Sequence, residues 1–209
     1  FWSRNLGDDW PTVNGLRGKI IVGFTGREST SSRVAYVRDQ GVHPAVAIND
    51  HGQIIEVHKS ESQSTLWYWT GQLQDDGTVI WWHHGRYDNG RNPVIALNNH
   101  GRFIEIHRSD GDDDLWYWTG TIGPDGDLVF QHNEEFDSGV QPSVAFDDLD
   151  GLSFREIHQS PSDSDTHWDW FATINESDGR VSWGAHGTTS DERFSTDRAE
   201  STAGWVEVD

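Results

Sequence analysis

Three times the chain places a glutamate and a histidine two residues apart: Glu56-Val57-His58, Glu105-Ile106-His107 and Glu156-Ile157-His158. In extended backbone alternate residues share a face, so each pair sits side by side. Ile54, Phe103 and Phe154 precede the pairs on that face, and Ile55 and Val57 of the first copy point the other way. A carboxylate beside an imidazole orients the ring, and a serine follows in each copy (Ser60, Ser109, Ser160) as a hydroxyl to join them. Fully satisfied, such a trio is a buried network that specifies strand register. The same residue types also ligate metals. Zinc takes three or four protein ligands and each copy supplies two, so the structural use is the expectation. His58, His107 and His158 nonetheless stand as candidate ligand-binding residues.

Tryptophans repeat in the same copies. Trp67 and Trp69 share a face with Tyr68 opposite, Trp116 and Trp118 repeat the arrangement around Tyr117, and Trp168 and Trp170 keep it around Asp169. Such pairs are expected to pack between neighbouring sheets. Trp81 and Trp82 are adjacent, so one ring must face away from the other, and some indole should reach the surface. An exposed ring beside Asp, Asn and His is how proteins grip sugars: the ring face stacks while polar edges bond hydroxyls. Trp67, Trp69, Trp81, Trp82, Trp116, Trp118, Trp168 and Trp170 are therefore candidate glycan-binding residues.

The loop "RSDGDDDL" (Arg108–Leu115) offers Asp110, Asp112, Asp113 and Asp114 as hard oxygen ligands suited to Ca²⁺. The equivalent loop "KSESQSTL" has one carboxylate, and a solvated acidic loop is the simpler expectation. His83 and His84 with Asp88, His132 with Asp137, and His186 offer acid–base pairs. No glycine-rich phosphate loop, Gly-x-Ser-x-Gly elbow or His-Glu-x-x-His occurs. The chain reads as non-catalytic and without an organic cofactor.

What positions these residues is a repeat. Pro44, Pro93 and Pro142 are 49 residues apart, as are Trp67 and Trp116, while Trp116 to Trp168 is 52. A period near 50 marks a propeller or other repeat array. Each unit reads as four short strands: "PAVAIND" or "PVIALNN", closed by His-Gly; "QIIEVHKS" or "RFIEIHRS"; "LWYWTG"; and "TVIWWHHG", "DLVFQHNE" or "RVSWGAHG". Asp76-Gly77, Asp125-Gly126 and Asp178-Gly179 are hairpin turns in which both residues are expected to take unusual φ values. No segment shows a 3.6-residue period, so the expectation is an all-β, β-propeller-like array of four-stranded antiparallel blades. Residues 41–190 hold three full repeats. Residues 1–40 read as N-terminal strands and 191–209 as part of a fourth repeat, the two ends completing one composite blade that removes exposed edges.

Composition sets the outer limits. The 33% hydrophobic content is lean, but 12 Trp and 9 Phe concentrate it in large rings that can sustain a core. The formal charge of −20 argues against nucleic acid or anionic lipid as partner. No run approaches the ~18 apolar residues of a membrane span. There is no Cys for a disulfide framework. A start at Phe1 without any Met reads as a processed chain or a fragment, and the acidic polar surface leans toward secretion.

The stretch "YDNGRNPVIALNNHGRFIEIHRS" (Tyr87–Ser109) resembles propeller-like repeats of secreted bacterial proteins, a similarity spanning about two-thirds of the chain. Separately, "WPTVNGLRGKIIVGF" (Trp10–Phe24) resembles a late barrel strand of phosphatidylinositol-specific phospholipase C-like phosphodiesterases. That second resemblance implies a preceding catalytic domain, whose histidines and calcium-binding carboxylates lie on earlier strands that have no counterpart here. The function expected is a lectin-like module binding a glycan or cell-surface ligand. The alternatives are an accessory region of such a phosphodiesterase and a structural or homo-oligomerising unit.

Overall fold

The computed structural model describes residues 39–75 and 77–189. The expected composite blade and the phosphodiesterase-like stretch lie outside the described residues. Within them the chain is all β: β1 (Gly41–Ile48), β2 (Gln53–Ser60), β3 (Thr65–Leu73), β4 (Val79–Asn89), β5 (Arg91–Leu97), β6 (Arg102–Arg108), β7 (Asp114–Ile122), β8 (Leu128–Ser138), β9 (Val140–Phe146), β10 (Ser153–Gln159), β11 (His167–Ile174) and β12 (Val181–Thr189). They form three antiparallel sheets, ordered β1-β2-β3-β4, β5-β6-β7-β8 and β9-β10-β11-β12. The innermost strands β1, β5 and β9 lie next to one another in turn, so each sheet is a blade of a propeller-type fold.

Each seam between blades has its own core. Ile55 and Val57 of the first blade meet Ile95, Leu97, Phe103 and Ile122 of the second, while Ile104, Ile106 and Tyr117 of the second meet Val144, Phe146, Phe154 and Ile174 of the third. The second strand of a middle blade is thus buried on both faces, and β6 is buried along most of its length, Glu105 and His107 included. Each fully buried aliphatic or aromatic side chain here contributes about 1.5–3 kcal/mol.

The innermost strands begin two or three residues before their prolines. His43, Asn92 and Gln141, each preceding proline, take φ of 53°, 52° and 53° and place an irregularity in the ladder. Starting the strand at the proline missed this kink. The Asp-Gly turns also differ from expectation: Gly77, Gly126 and Gly179 have φ of 83°, 83° and 76°, but Asp125 and Asp178 do not take positive φ. The Gly126 N–H closes on the Gly123 carbonyl at 3.0 Å, so one left-handed residue suffices. At the blade ends near β2 and β6, buried asparagines tie neighbours together. Asn49 Nδ2 donates to the Asn98 carbonyl at 3.1 Å, and Asn98 Nδ2 donates to the Gly151 carbonyl at 2.7 Å.

Candidate functional site

The three Glu-x-His pairs are built as side-by-side neighbours on β2, β6 and β10. His58 Nδ1 lies 3.1 Å from both Glu56 oxygens, His107 Nδ1 2.9 Å from Glu105 Oε2, and His158 Nδ1 2.9 Å from Glu156 Oε2. Glu105, His107, Glu156 and His158 are all fully buried, and His58 is buried with them.

The third partner is an aspartate from the preceding stretch of chain. Asp39, Asp88 and Asp137 stand 3.8, 3.9 and 3.8 Å from the Nε2 of His58, His107 and His158. Each of these aspartates accepts an indole N–H: Trp69 to Asp39 at 3.1 Å, Trp118 to Asp88 at 2.6 Å and Trp170 to Asp137 at 2.7 Å. Glu, His, Asp and Trp thus form one unit per repeat, and in the second and third repeats it crosses the seam. Two residues after each aspartate, Gly41, Gly90 and Gly139 lie flat against the imidazole. A Cβ there would come within 2.4, 2.6 and 2.2 Å of His58, His107 and His158 Cδ2, too close for any side chain.

Charge is arranged to suit this. The His58 pKa is raised by its hydrogen bond to Glu56, against the opposing effect of burial. At His107 burial is the largest influence and lowers the value, but the Glu105 charge and hydrogen bond together with Asp88 outweigh it and the net shift is upward. The Trp69 hydrogen bond holds Asp39 below its usual value. The serines expected in the network are not its members. Ser109 uses its backbone, with its N–H on the Asp114 carbonyl, and Ser160 Oγ pairs with Ser162 Oγ at 3.2 Å.

The tryptophans divide by position. Trp69, Trp118 and Trp170 are tied to the aspartates and flanked edge-on by Trp81, Phe130 and Trp183 at 6.4, 5.3 and 5.7 Å. Trp82 leaves Trp81 and covers Gly126 in the second blade's turn. The outer members, Trp67, Trp116 and Trp168, are half-buried. Trp67 stacks on the exposed His84 at 5.6 Å, and Trp168 lies 5.7 Å from the exposed His186 in a tilted arrangement. Asn133 replaces the histidine in the second blade, opposite Trp118.

The acid–base pairs read from the sequence do not assemble. His83 turns to Asp127 at 3.3 Å, His84 lies against Trp67 and Trp69, and His132 pairs with Glu134 at 3.2 Å, leaving Asp88 and Asp137 to the indoles and imidazoles. In the acidic loop of Asp110, Asp112, Asp113 and Asp114, two of the carboxylates are engaged within the chain. Asp113 is engaged by Arg108 and lies 3.7 Å from Arg91, and Asp112 Oδ1 accepts the Asp114 N–H at 3.3 Å. Among the described residues no group of three or more His, Asp or Glu is placed to hold a metal ion.

A comparison with protein families finds no match, and neither does one with curated proteins. Solved structures do resemble the chain in fold. Saccharomyces cerevisiae Sqt1 matches at 10% identity and TM-score 0.46 over 71% of this chain and 35% of its own. Kuenenia stuttgartiensis hydrazine synthase matches at 11% and 0.38 over 66% and 53%. The WD40 domain of SCAP from fission yeast matches at 5% and 0.29 over 71% and 52%. The chain therefore spans about a third to a half of these proteins, and at such identities the likeness concerns fold alone.

Proposed function

We propose that this chain is a non-catalytic propeller-type binding module whose ligand is a glycan, or a surface molecule presenting one. The supporting observation is the division of labour within the tryptophan pairs. Each seam or edge uses the inner indole to anchor an aspartate, while the outer indoles Trp67, Trp116 and Trp168, half-exposed like the inner ones, stand beyond that anchor at equivalent places. Exposed polar residues stand directly across from them on the outermost strands: Arg86, Glu135 and Thr188. A partly open ring face beside hydrogen-bonding side chains is the arrangement that sugars require. Its repetition on one scaffold lets weak sites act together. A secreted setting fits the same reading.

A glycan array probed with the labelled full chain tests this. A defined class of glycan should be retained, and titration of a hit should quench tryptophan fluorescence. Trp116→Ala should weaken binding about tenfold, equivalent to ~1.4 kcal/mol. The reading fails if no glycan is retained, or if Ala at Trp67, Trp116 and Trp168 leaves a hit's affinity unchanged.

A further inference from the structure

The two complete seams carry the same network with one atom missing. Across the first seam, Tyr87 on β4 donates its hydroxyl to Glu105 Oε1 at 2.9 Å. The equivalent residue 49 positions on is Phe136 on β8. Its ring sits where the Tyr87 ring sits: Tyr87 stacks on Phe130 at 5.6 Å and 10°, and Phe136 stacks on Trp183 at 4.1 Å and 6°. Trp183 itself holds the place on β12 that Phe130 holds on β8, opposite Ala172 and Gly120 respectively. Phe136 has no hydroxyl, and Glu156 Oε1 is buried without a hydrogen bond. A buried ionised carboxylate with one oxygen unserved is costly, and the neutral acid is much less so.

We propose that the seam between the second and third blades is a proton-sensitive joint, closed while Glu156 is protonated and loosened when it ionises. The groups around it are few. His158 shares its strand, Asp137 reaches in from β8, and Asp169 acts from β11. Val144 on β9 faces Glu156 and Ile104 and Ile106 of β6 line the same core; none of them titrates. Tyr117 of β7, its pKa pushed up to about 12 mainly by burial, stays protonated throughout, and His186 of β12 lies on Trp170. Burial raises the Glu156 carboxyl from 4.5 to about 7; the His158 hydrogen bond and charge oppose this, and Asp137 and Asp169 add to it. A folded-state value above the unfolded one makes the stabilisation complete below pH 4.5 and lost as pH rises through about 7. The joint therefore tightens in acid and eases above neutrality.

Hydrogen exchange of the full chain, measured by mass spectrometry at about pH 5.5 and about pH 8 and corrected for intrinsic rates, tests this. In the wild type, exchange in β9–β11 should rise on the order of tenfold between the two. Phe136→Tyr supplies the missing donor where a tyrosine ring already fits across the other seam. Glu156→Gln removes the titrating group. Each should remove most of that rise. If Glu156→Gln fails to fold, Phe136→Tyr decides alone. The proposal is overturned if exchange in β9–β11 does not rise between the two pH values in the wild type, or if Phe136→Tyr keeps the full wild-type response.

Discussion

The first and second seams were cut from the same pattern and are held differently. At the first, the Glu105 carboxylate takes His107 Nδ1 and the Tyr87 hydroxyl, and Asp88 takes the Trp118 N–H. At the second, Asp137 likewise takes the Trp170 N–H but Glu156 takes only His158, while three rings, Tyr117, Phe146 and Phe154, are fully buried in its core against Phe103 alone at the first. One seam relies more on a satisfied polar network and the other more on ring packing around a poorly served acid. A repeat can thus keep its geometry while shifting what holds it, and the shift adds a carboxyl to the groups through which one joint answers to pH.

The comparison breaks most sharply at the two glutamates. Glu105→Ala leaves His107 and the Tyr87 hydroxyl buried without their acceptor, and should cost about 3–5 kcal/mol in denaturant unfolding followed by tryptophan fluorescence. Glu156→Ala also strands His158, but removes a carboxylate that was itself poorly satisfied. Its cost near neutral pH should be smaller by about 1–3 kcal/mol. Equal losses at the two sites would mean that the Tyr87 hydroxyl contributes nothing and that the seams are energetically the same.

Tyr87→Phe sharpens the contrast by writing the second seam's chemistry into the first. It removes one hydrogen bond to a charged, buried acceptor, at a cost of roughly 1.5–3 kcal/mol, which corresponds to a fall in Tm of about 3–12 °C for a chain of this size. The pH profile should steepen as well. The raised His107 pKa already makes stability complete below the ordinary histidine range of ~6.5 and lost as pH rises through the shifted value. An under-served Glu105 adds a loss of the same sign. A Tyr87→Phe protein whose Tm keeps the wild-type dependence on pH would separate the hydroxyl from the proton response.

Much of this was legible from the sequence. The 49-residue period, the turn glycines and the alternation along "RFIEIHRS" give an all-β array of four-stranded blades, and two-residue spacing alone brings Glu105 against His107. Asp88 and Asp137 were read with the wrong histidines, and Asp39 with none, because a unit drawn from its proline severs each from the histidine it serves. Asp39, Asp88 and Asp137 lie five residues before Pro44, Pro93 and Pro142, on the tail of the preceding unit. The signal was present as Asp-x-Gly at each of those places, 49 residues apart. Which indole of a pair is inner was not readable, since Trp116 and Trp118 share a face and differ only in nearness to that tail. Phe136 in place of Tyr87 is visible in an aligned repeat. Its consequence needs the knowledge that the ring looks across the seam at the next blade's glutamate.

The smallest expected effect decides who the third member of the network is. Sequence spacing nominated Ser109, two residues after His107, and the structure puts Asp88 there instead, 3.9 Å from Nε2 and hydrogen-bonded to Trp118. Ser109→Ala should change stability by less than about 0.5 kcal/mol, because its backbone groups hold Asp114 and Arg91 and survive the substitution. Asp88→Ala should cost about 1–3 kcal/mol, since it leaves the Trp118 N–H half-buried without an acceptor and withdraws negative charge from His107. It should also lower the His107 pKa, moving the loss of stability to lower pH, a change Ser109→Ala should not produce. An NMR titration of the His107 ring in both variants separates the two. If Ser109→Ala moves the ring's titration and Asp88→Ala does not, the seam is closed within one blade, and the link across it carries no energy.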